Sequence, residues 1–208
     1  MVGYDIAEGM VIENGSIRSR HSTRSFLPDP ISEDNLCGII EAGIAAPSSK
    51  NRQPWRIYVL RGDVLDRAVR GMDGRIAVRM SAVDDEEFLE DLGSARMTMK
   101  AMEEAPIVLA VTYVDRNPYR NASPYIDGMT DRQMVDVLSI GACIENMILE
   151  AEERGISSLW IGDFLYGTEE LIAETGIEET VVSLLALGYS ESAAGTSRDR
   201  RDDLVSWL

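Results

Sequence analysis

Hydrophobic and polar residues along this chain follow two kinds of pattern, one typical of amphipathic helices and the other of buried strands. The longest helical pattern covers residues 131–154, which would form a helix roughly 36 Å long. Its apolar residues recur at every third or fourth position: Met134, Val137, Leu138, Gly141, Ile144, Ile148 and Ala151. A glycine inside a helix costs about 1 kcal/mol relative to alanine, a cost that close approach of another helix at Gly141 could compensate.

A second helix is predicted to begin at the N-cap residue Ser32, to run for about 14 residues and to end at Pro47. Its apolar positions fall on one stripe: Leu36, Ile39, Ile40, Gly43 and Ile44. The segment Phe26–Pro30 before it is predicted to be an extended bend, because each proline disfavours helical geometry in its predecessor. Other predicted helices cover 5–13, 63–70 and 85–104, whereas 71–84 is ambiguous and 115–130 is predicted to be a loop.

Four short apolar runs predict the strands of a sheet: 55–60, 107–114, 157–161 and 181–187. The run at 107–114 is apolar almost throughout, as an interior strand requires. Strands separated by helices predict layered structure of either the mixed α/β or the α+β class.

Composition limits the class of protein and its partners. A chain of 208 residues with 45% hydrophobic content can bury a globular core as one domain, with or without long extensions. Its net charge of -16 argues against nucleic acid and anionic membranes as partners, because like charges repel. Cys37 and Cys143 both fall in apolar helical stretches, where we expect buried, reduced thiols. Because neither a signal peptide nor a membrane-spanning run is evident, we expect a cytoplasmic protein.

Two segments lack the acidic residues that dominate elsewhere. No Asp or Glu occurs in 14–28, which contains the basic segment Arg20–Arg24, or in 42–62, although about six would be expected in windows of this total length. Arginine beside small hydroxyl and amide groups suits an anion such as a phosphate, although an ordinary basic loop and helix cap is the alternative. A third cationic patch, Arg198, Arg200 and Arg201, is either a further phosphate contact or a solvated tail.

The side chains offer little chemistry of their own. His21 is the single histidine, so a histidine-rich metal site is impossible, and a catalytic triad would need a carboxylate beside this basic segment. Neither a GxGxxG nor a P-loop motif occurs. Acidic pairs such as Glu86-Glu87 are expected on solvated helix faces. A bound cofactor that carries a phosphate and supplies the chemistry itself would account both for the cationic segments and for the lack of catalytic side chains.

Two motifs together resemble the FMN-dependent nitroreductase family. The first is Arg20-His21-Ser22-Thr23-Arg24 followed by Phe26, and the second is Ala46-Pro47-Ser48-Ser49-x-Asn51-x-Gln53-Pro54-Trp55. Weaker matches follow in the family's order at 141–151, 155–162 and 185–189, so that the resemblance spans roughly residues 16–207.

The resemblance implies an α+β fold: a central mixed or antiparallel sheet of four to five strands flanked by helices. The whole chain, 1–208, would be one FMN-binding domain with a core of about 16–189. The C-terminal extension of about 190–208 would be exchanged within a homodimer, and the FMN sites would lie at the subunit interface.

The resemblance also implies the residues that contact FMN: Arg20, His21, Ser22, Arg24, Pro47, Ser48, Ser49, Asn51, Gly162, Leu165, Tyr166, Gly167, Arg198 and Arg200. Arg20 and Arg24 would hold the phosphate and ribityl region, with charge from Arg198 or Arg200. Residues 47–51 would reach the flavin from the other subunit. The stretch 162–167 would pass the flavin ring, although it reads Asp-Phe-Leu-Tyr where the family more commonly has Gly-Phe-Asp.

The implied activity is a ping-pong transfer of reducing equivalents from NAD(P)H through FMN to a nitroaromatic, a quinone or a similar small molecule. Two alternatives remain. The same fold could run another flavin reaction, such as dehalogenation, dehydrogenation or flavin conversion, or the protein could be a non-enzymatic flavin-binding module. No metal is implied, and the chemistry would belong to the flavin with no catalytic side chain.

Overall fold

The computed structural model describes residues 15–116, 124–126, 128–191 and 204–206. Its helices are α1 (Ser16–Ser19), α2 (Glu33–Ile44), α3 (Asp63–Ser81), α4 (Glu86–Glu104), α5 (Asp131–Glu153) and α6 (Thr168–Thr175). Its strands are β1 (Trp55–Leu60), β2 (Ile107–Tyr113), β3 (Pro124–Ile126), β4 (Met129–Thr130), β5 (Ser157–Ile161) and β6 (Thr180–Gly188).

A four-stranded antiparallel sheet in the order β1-β2-β6-β5 forms the centre of the molecule. Alternate residues of the interior strand β2 point to opposite faces: Val108 and Ala110 join one hydrophobic cluster, whereas Leu109 and Val111 join the other. Helices α3, α4 and α6 cover the first face, and α2 and α5 cover the second. The predicted strands and the α+β class are confirmed, because helices lie on both faces of an antiparallel sheet.

Side-chain caps fix the helix starts that the sequence predicts. The Ser32 hydroxyl accepts a hydrogen bond from the Asn35 amide at 3.2 Å. Thr130 and Gln133 form a reciprocal capping box at the start of α5. Both helices therefore begin where their local sequence requires.

Helix α3 is longer than predicted, because it continues through the region that was ambiguous in sequence. Gly71 and Gly74 interrupt the apolar pattern there, yet Met72 and Ile76 are fully buried and extend the stripe against the sheet. Gly71 also allows close contact, since a Cβ atom there would lie 3.2 Å from the Glu170 side chain of α6. Helices α1 and α6 have no counterpart in the sequence prediction, and the segment 115–130, predicted to be a loop, contains the short strands β3 and β4, which pair with each other. The predicted helix at 5–13 lies outside the described residues.

The buried face of α5 differs from the predicted stripe in its first half. Leu138 is 65% exposed, whereas the polar residues Asp136 and Ser139 are buried. Within the described residues of one chain no helix approaches Gly141 closely, since a Cβ atom there would meet nothing within 4 Å. Gly43 of α2 makes that approach instead, because its Cβ would lie 3.2 Å from the Cys143 carbonyl oxygen of α5.

The two cysteines lie in contrasting environments. Cys143 is fully buried in α5, and burial raises its pKa to about 12. Cys37 is exposed, so the prediction that both thiols are buried is wrong for this residue. It lies one position, or about 100° around α2, from the buried Leu36 and so falls outside the buried stripe. No helix within the described ranges is long and apolar enough to cross a bilayer.

Candidate cofactor site

The basic segment Arg20–Arg24 lies between α5 and β5, which is an edge strand of the sheet. The Thr23 amide donates to the Ser158 carbonyl at 2.9 Å, and Ser22 forms a parallel bridge with the same residue. Arg20 reaches α5, where its Nε lies 3.8 Å from Glu145 Oε1. That Nε is buried and has no hydrogen-bond acceptor among the described residues. The guanidinium therefore keeps an unused donor, which an anion bound at this segment would satisfy.

His21 is held by neutral groups. Its Nδ1 lies 3.4 Å from the Ser19 carbonyl oxygen, and its Nε2 lies 3.3 Å from the hydroxyl of Thr23, which is buried. A catalytic base of a hydrolytic triad needs a carboxylate on one ring nitrogen, whereas this ring faces a carbonyl and a hydroxyl. The arrangement suits a positioning role next to the two arginines.

A strained loop follows α2 and contains the second motif. Three of its non-glycine residues have left-handed backbone angles: Lys50 (φ 53°), Asn51 (φ 54°) and Gln53 (φ 49°). The Ser48 hydroxyl closes the loop by accepting from the Gln53 amide at 3.0 Å. The Gln53 side chain in turn donates to Asn51 Oδ1 at 3.1 Å. The conformation is thus held by polar contacts within the motif itself.

The two motifs contact different faces of α5 in one chain. Arg20 meets Glu145, whereas Arg52, in the strained loop, pairs with Asp136. These two acids are separated by about 14 Å along the axis and by about half a turn around it, given 1.5 Å and 100° per residue. Within one subunit the two motifs therefore diverge around α5.

The segment that follows β5 is a 3₁₀ turn at Asp163–Gly167, and three contacts with α3 and α4 fix it. Thr98 Oγ1 donates to Asp163 Oδ2 at 2.6 Å. The rings of Phe88 and Tyr166 lie 5.9 Å apart. Gly167 packs so tightly on α3 that a Cβ atom would lie 2.8 Å from Met72 Cα. This clamped segment leaves Leu165, at 66% exposure, facing outward.

The structure brings some predicted site residues together and separates others. Ser22 pairs with Ser158 of β5, and β5 leads into the turn at 162–167, so the basic segment and this turn are connected through one strand. Residues 47–51 precede Arg52, whose contact with α5 at Asp136 is about half a turn around the helix from Glu145. The predicted contacts Arg198 and Arg200 are outside the described residues.

Two polar pairs at the site were not predicted, Arg52–Asp136 and Thr98–Asp163. Each joins segments that are distant in the chain. The one sequence signal for the first pair is an aspartate inside the apolar pattern of α5.

The residues present fit a phosphate-bearing cofactor. A phosphate that leaves water requires paired cations and hydrogen bonds, and the basic segment supplies guanidinium groups and a hydroxyl within a chain of net charge -16. The buried, unsatisfied Nε of Arg20 provides a donor that the rest of the described protein leaves unused. The site thus has the donors that such an anion needs.

Comparisons with known proteins identify the family of this chain. A sequence model of the Nitroreductase family matches residues 17–189. The nitroreductase NfnB of Mycolicibacterium smegmatis is 34% identical over 198 residues, covering 87% of this chain and 84% of the relative. A nitroreductase with bound FMN from Desulfitobacterium hafniense has a TM-score of 0.69 at 21% identity, over 93% of this chain and 96% of that one. A BluB-like flavoprotein from Clostridium difficile has a TM-score of 0.70 at 25% identity, over 93% and 97% of the two chains. The chain belongs to the nitroreductase family.

Proposed function

We propose that the protein is an FMN-dependent oxidoreductase that passes reducing equivalents from NADH or NADPH to a nitroaromatic, a quinone or a similar small acceptor. The observation that carries this proposal is the basic segment Arg20–Arg24, with its buried unsatisfied donor, paired with the strand β5 that leads into the turn at 162–167, in a member of this family. A nicotinamide donor and a reaction in the cytoplasm remain parts of the proposal.

The chain's own residues would bind and orient the cofactor. Arg20 and Arg24 would hold the phosphate, with His21 and Ser22 beside them, because this segment concentrates the cationic donors. Residues 162–167 would border the flavin ring, where their position is fixed by α3 and α4. Bound FMN supplies the electron-transfer chemistry, so the protein needs no acid–base side chain of its own.

We further propose that the site is completed in a homodimer. The divergence of the two motifs around α5 supports a dimer in which Pro47, Ser48, Ser49 and Asn51 serve the site of the other subunit. Exposed apolar side chains on α1 and α5, Ile17 at 75% and Leu138 at 65%, suit a partner surface. The extension at 190–208 would be exchanged between subunits and would bring Arg198 or Arg200 to the phosphate.

A second flavin reaction within the same fold is the other candidate function. Its specific support is the likeness to a BluB-like flavoprotein, which covers nearly the whole chain. Dehalogenation, dehydrogenation or conversion of the flavin itself would use the same cofactor anchors with a different substrate pocket. A non-enzymatic flavin-binding module is the third alternative.

Steady-state kinetics test the proposed reaction. With FMN-loaded protein, we expect double-reciprocal plots against NADH or NADPH to be parallel lines at several concentrations of a nitroaromatic acceptor, because donor and acceptor use one site in turn. 4-Nitrobenzoate and a benzoquinone are suitable acceptors. If no acceptor in such a panel is reduced while the loaded protein destroys its flavin in air, the second candidate replaces the first.

A further inference from the structure

The loop at residues 48–53 holds a conformation that its sequence does not favour. Lys50, Asn51 and Gln53 all adopt left-handed backbone angles, and each such non-glycine residue can cost about 1–3 kcal/mol, with asparagine at the low end. A backbone in this state persists only when its surroundings over-determine it. The hydrogen bonds from Gln53 to Ser48 and Asn51 hold the loop's shape but do not fix its place on the protein.

Arg52 connects this loop to α5. Its Nη2 and Nε donate to one oxygen of Asp136, at 2.6 and 3.1 Å, and its Nη1 donates to the Ser49 hydroxyl at 3.3 Å. The guanidinium thus spans from the interior helix to a serine that is proposed to contact the flavin. Because Ser49 accepts this bond through its oxygen, its hydroxyl hydrogen remains available to a ligand.

The pair is buried, which distinguishes it from the surface ion pairs of this protein. The side chains of Arg52 and Asp136 are 11% and 1% exposed, respectively. The second oxygen of Asp136 is buried without a donor among the described residues. The neighbouring phenol of Tyr113 has a raised pKa, chiefly through burial and also through the charges of Asp115 and Asp136. A buried pair of this kind adds little net stability but strongly penalises loss of either partner, so it fixes geometry.

We propose that Arg52 and Asp136 are positioning residues that hold the loop at 48–53 in its flavin-binding place. This inference rests on the proposed function, because it assumes that the loop contacts bound FMN. The two residues touch neither the flavin phosphate nor the reacting atoms. They act through Ser48, Ser49 and Asn51, whose placement they determine.

Ligand binding by matched variants tests the proposal. We expect D136N and R52Q each to raise the dissociation constants of FMN and riboflavin alike, by at least about tenfold, because a displaced loop loses its contacts to the flavin moiety that both ligands share. The double variant R52Q/D136N restores a neutral, hydrogen-bonded pair. Its loss of flavin-binding free energy should therefore be smaller than the sum of the losses in the two single variants. Fluorescence titration of purified full-length protein provides the constants.

A pair outside the site supplies the control. Asp73 binds Arg96 through two hydrogen bonds of 2.7 and 3.0 Å between α3 and α4, so D73N removes an ion pair of the same two-donor type, in a more exposed position, from the opposite face of the sheet. We expect D73N to bind both flavins as the unmodified protein does. Far-UV circular dichroism confirms that each variant is folded. If D136N does not fold, R52K takes its place, since it keeps the charge but loses the two-donor fork.

The outcomes separate the inference from the function on which it rests. If the unmodified protein binds neither FMN nor riboflavin, the proposed function fails. If it binds FMN while folded D136N, R52Q and R52K bind equally tightly, the positioning role alone is overturned. If D73N weakens flavin binding as much as the site variants do, the effect reflects a general loss of stability, and the positioning role is again overturned.

Discussion

Replacing Arg20 with methionine should raise the dissociation constant for FMN by about 100-fold, or roughly 3 kcal/mol of binding free energy. Arg20 has a buried Nε without an acceptor among the described residues, and its contact to the half-exposed Glu145 is long at 3.8 Å. A phosphate would therefore lose one of the two charge-assisted partners that this segment is proposed to supply. The loss of the Glu145 contact itself should change stability by less than about 1 kcal/mol.

Two comparisons isolate the phosphate contact in this experiment. Riboflavin lacks the phosphate, so its affinity should be nearly unchanged by R20M. Arg18 lies exposed on α1 and outside the motif, so R18M removes the same charge without removing the proposed contact. Fluorescence titrations that show equal weakening of FMN by R18M and R20M would mean that only net charge matters, and the proposed phosphate anchor would be wrong.

Replacing Gly167 with alanine should lower the free energy of unfolding by about 1–3 kcal/mol and slow turnover with bound flavin. The added methyl group would lie 2.8 Å from the Cα of Met72, so the 3₁₀ turn and α3 must separate. Since residues 162–167 are proposed to border the flavin ring, this displacement reaches the site directly. The melting temperature should fall by about 2–4 °C for each kcal/mol lost.

Gly74 lies in α3, the helix that Gly167 contacts, and provides a control for which the free energy of unfolding should rise and not fall. A Cβ atom at Gly74 would meet nothing within 4 Å among the described residues, and the residue is exposed in the interior of α3. G74A should therefore stabilise the protein by about 0.5–1 kcal/mol and leave flavin turnover unchanged. Thermal unfolding followed by circular dichroism measures both variants. An unchanged melting temperature in G167A would contradict the tight packing of the turn on α3.

The parts of the fold that were predictable depend on local sequence. The cap at Ser32, the capping-box start of α5 at Thr130 and the buried strand Ile107–Tyr113 follow from neighbouring residues alone. Helix α3 was cut short in prediction because Gly71 and Gly74 lower helix propensity, whereas burial of its later apolar residues overrides that preference. Tertiary packing decides whether such a glycine-containing segment continues as a helix, and the periodicity of the sequence does not reveal that packing.

The same distinction applies to the site. The charge pattern predicted the basic segment and the family resemblance predicted the turn at 162–167, and the bridge between Ser22 and Ser158 connects the basic segment to β5, the strand before that turn. The pairing of Arg52 with Asp136 could not be predicted, because the partners lie on separate elements and each alone resembles an ordinary charged residue. The exposure of Cys37 was missed for a related reason: a shift of one helical position changes which face it occupies.

Anaerobic titration of the FMN-loaded protein with NADH and with NADPH tests the central claim most directly. The absorbance of oxidised flavin should disappear with one equivalent of at least one nicotinamide per bound FMN. It should return in full when a nitroaromatic or quinone acceptor is added without oxygen. A protein that binds no FMN, or whose bound FMN is reduced by neither nicotinamide, would contradict the proposed oxidoreductase function.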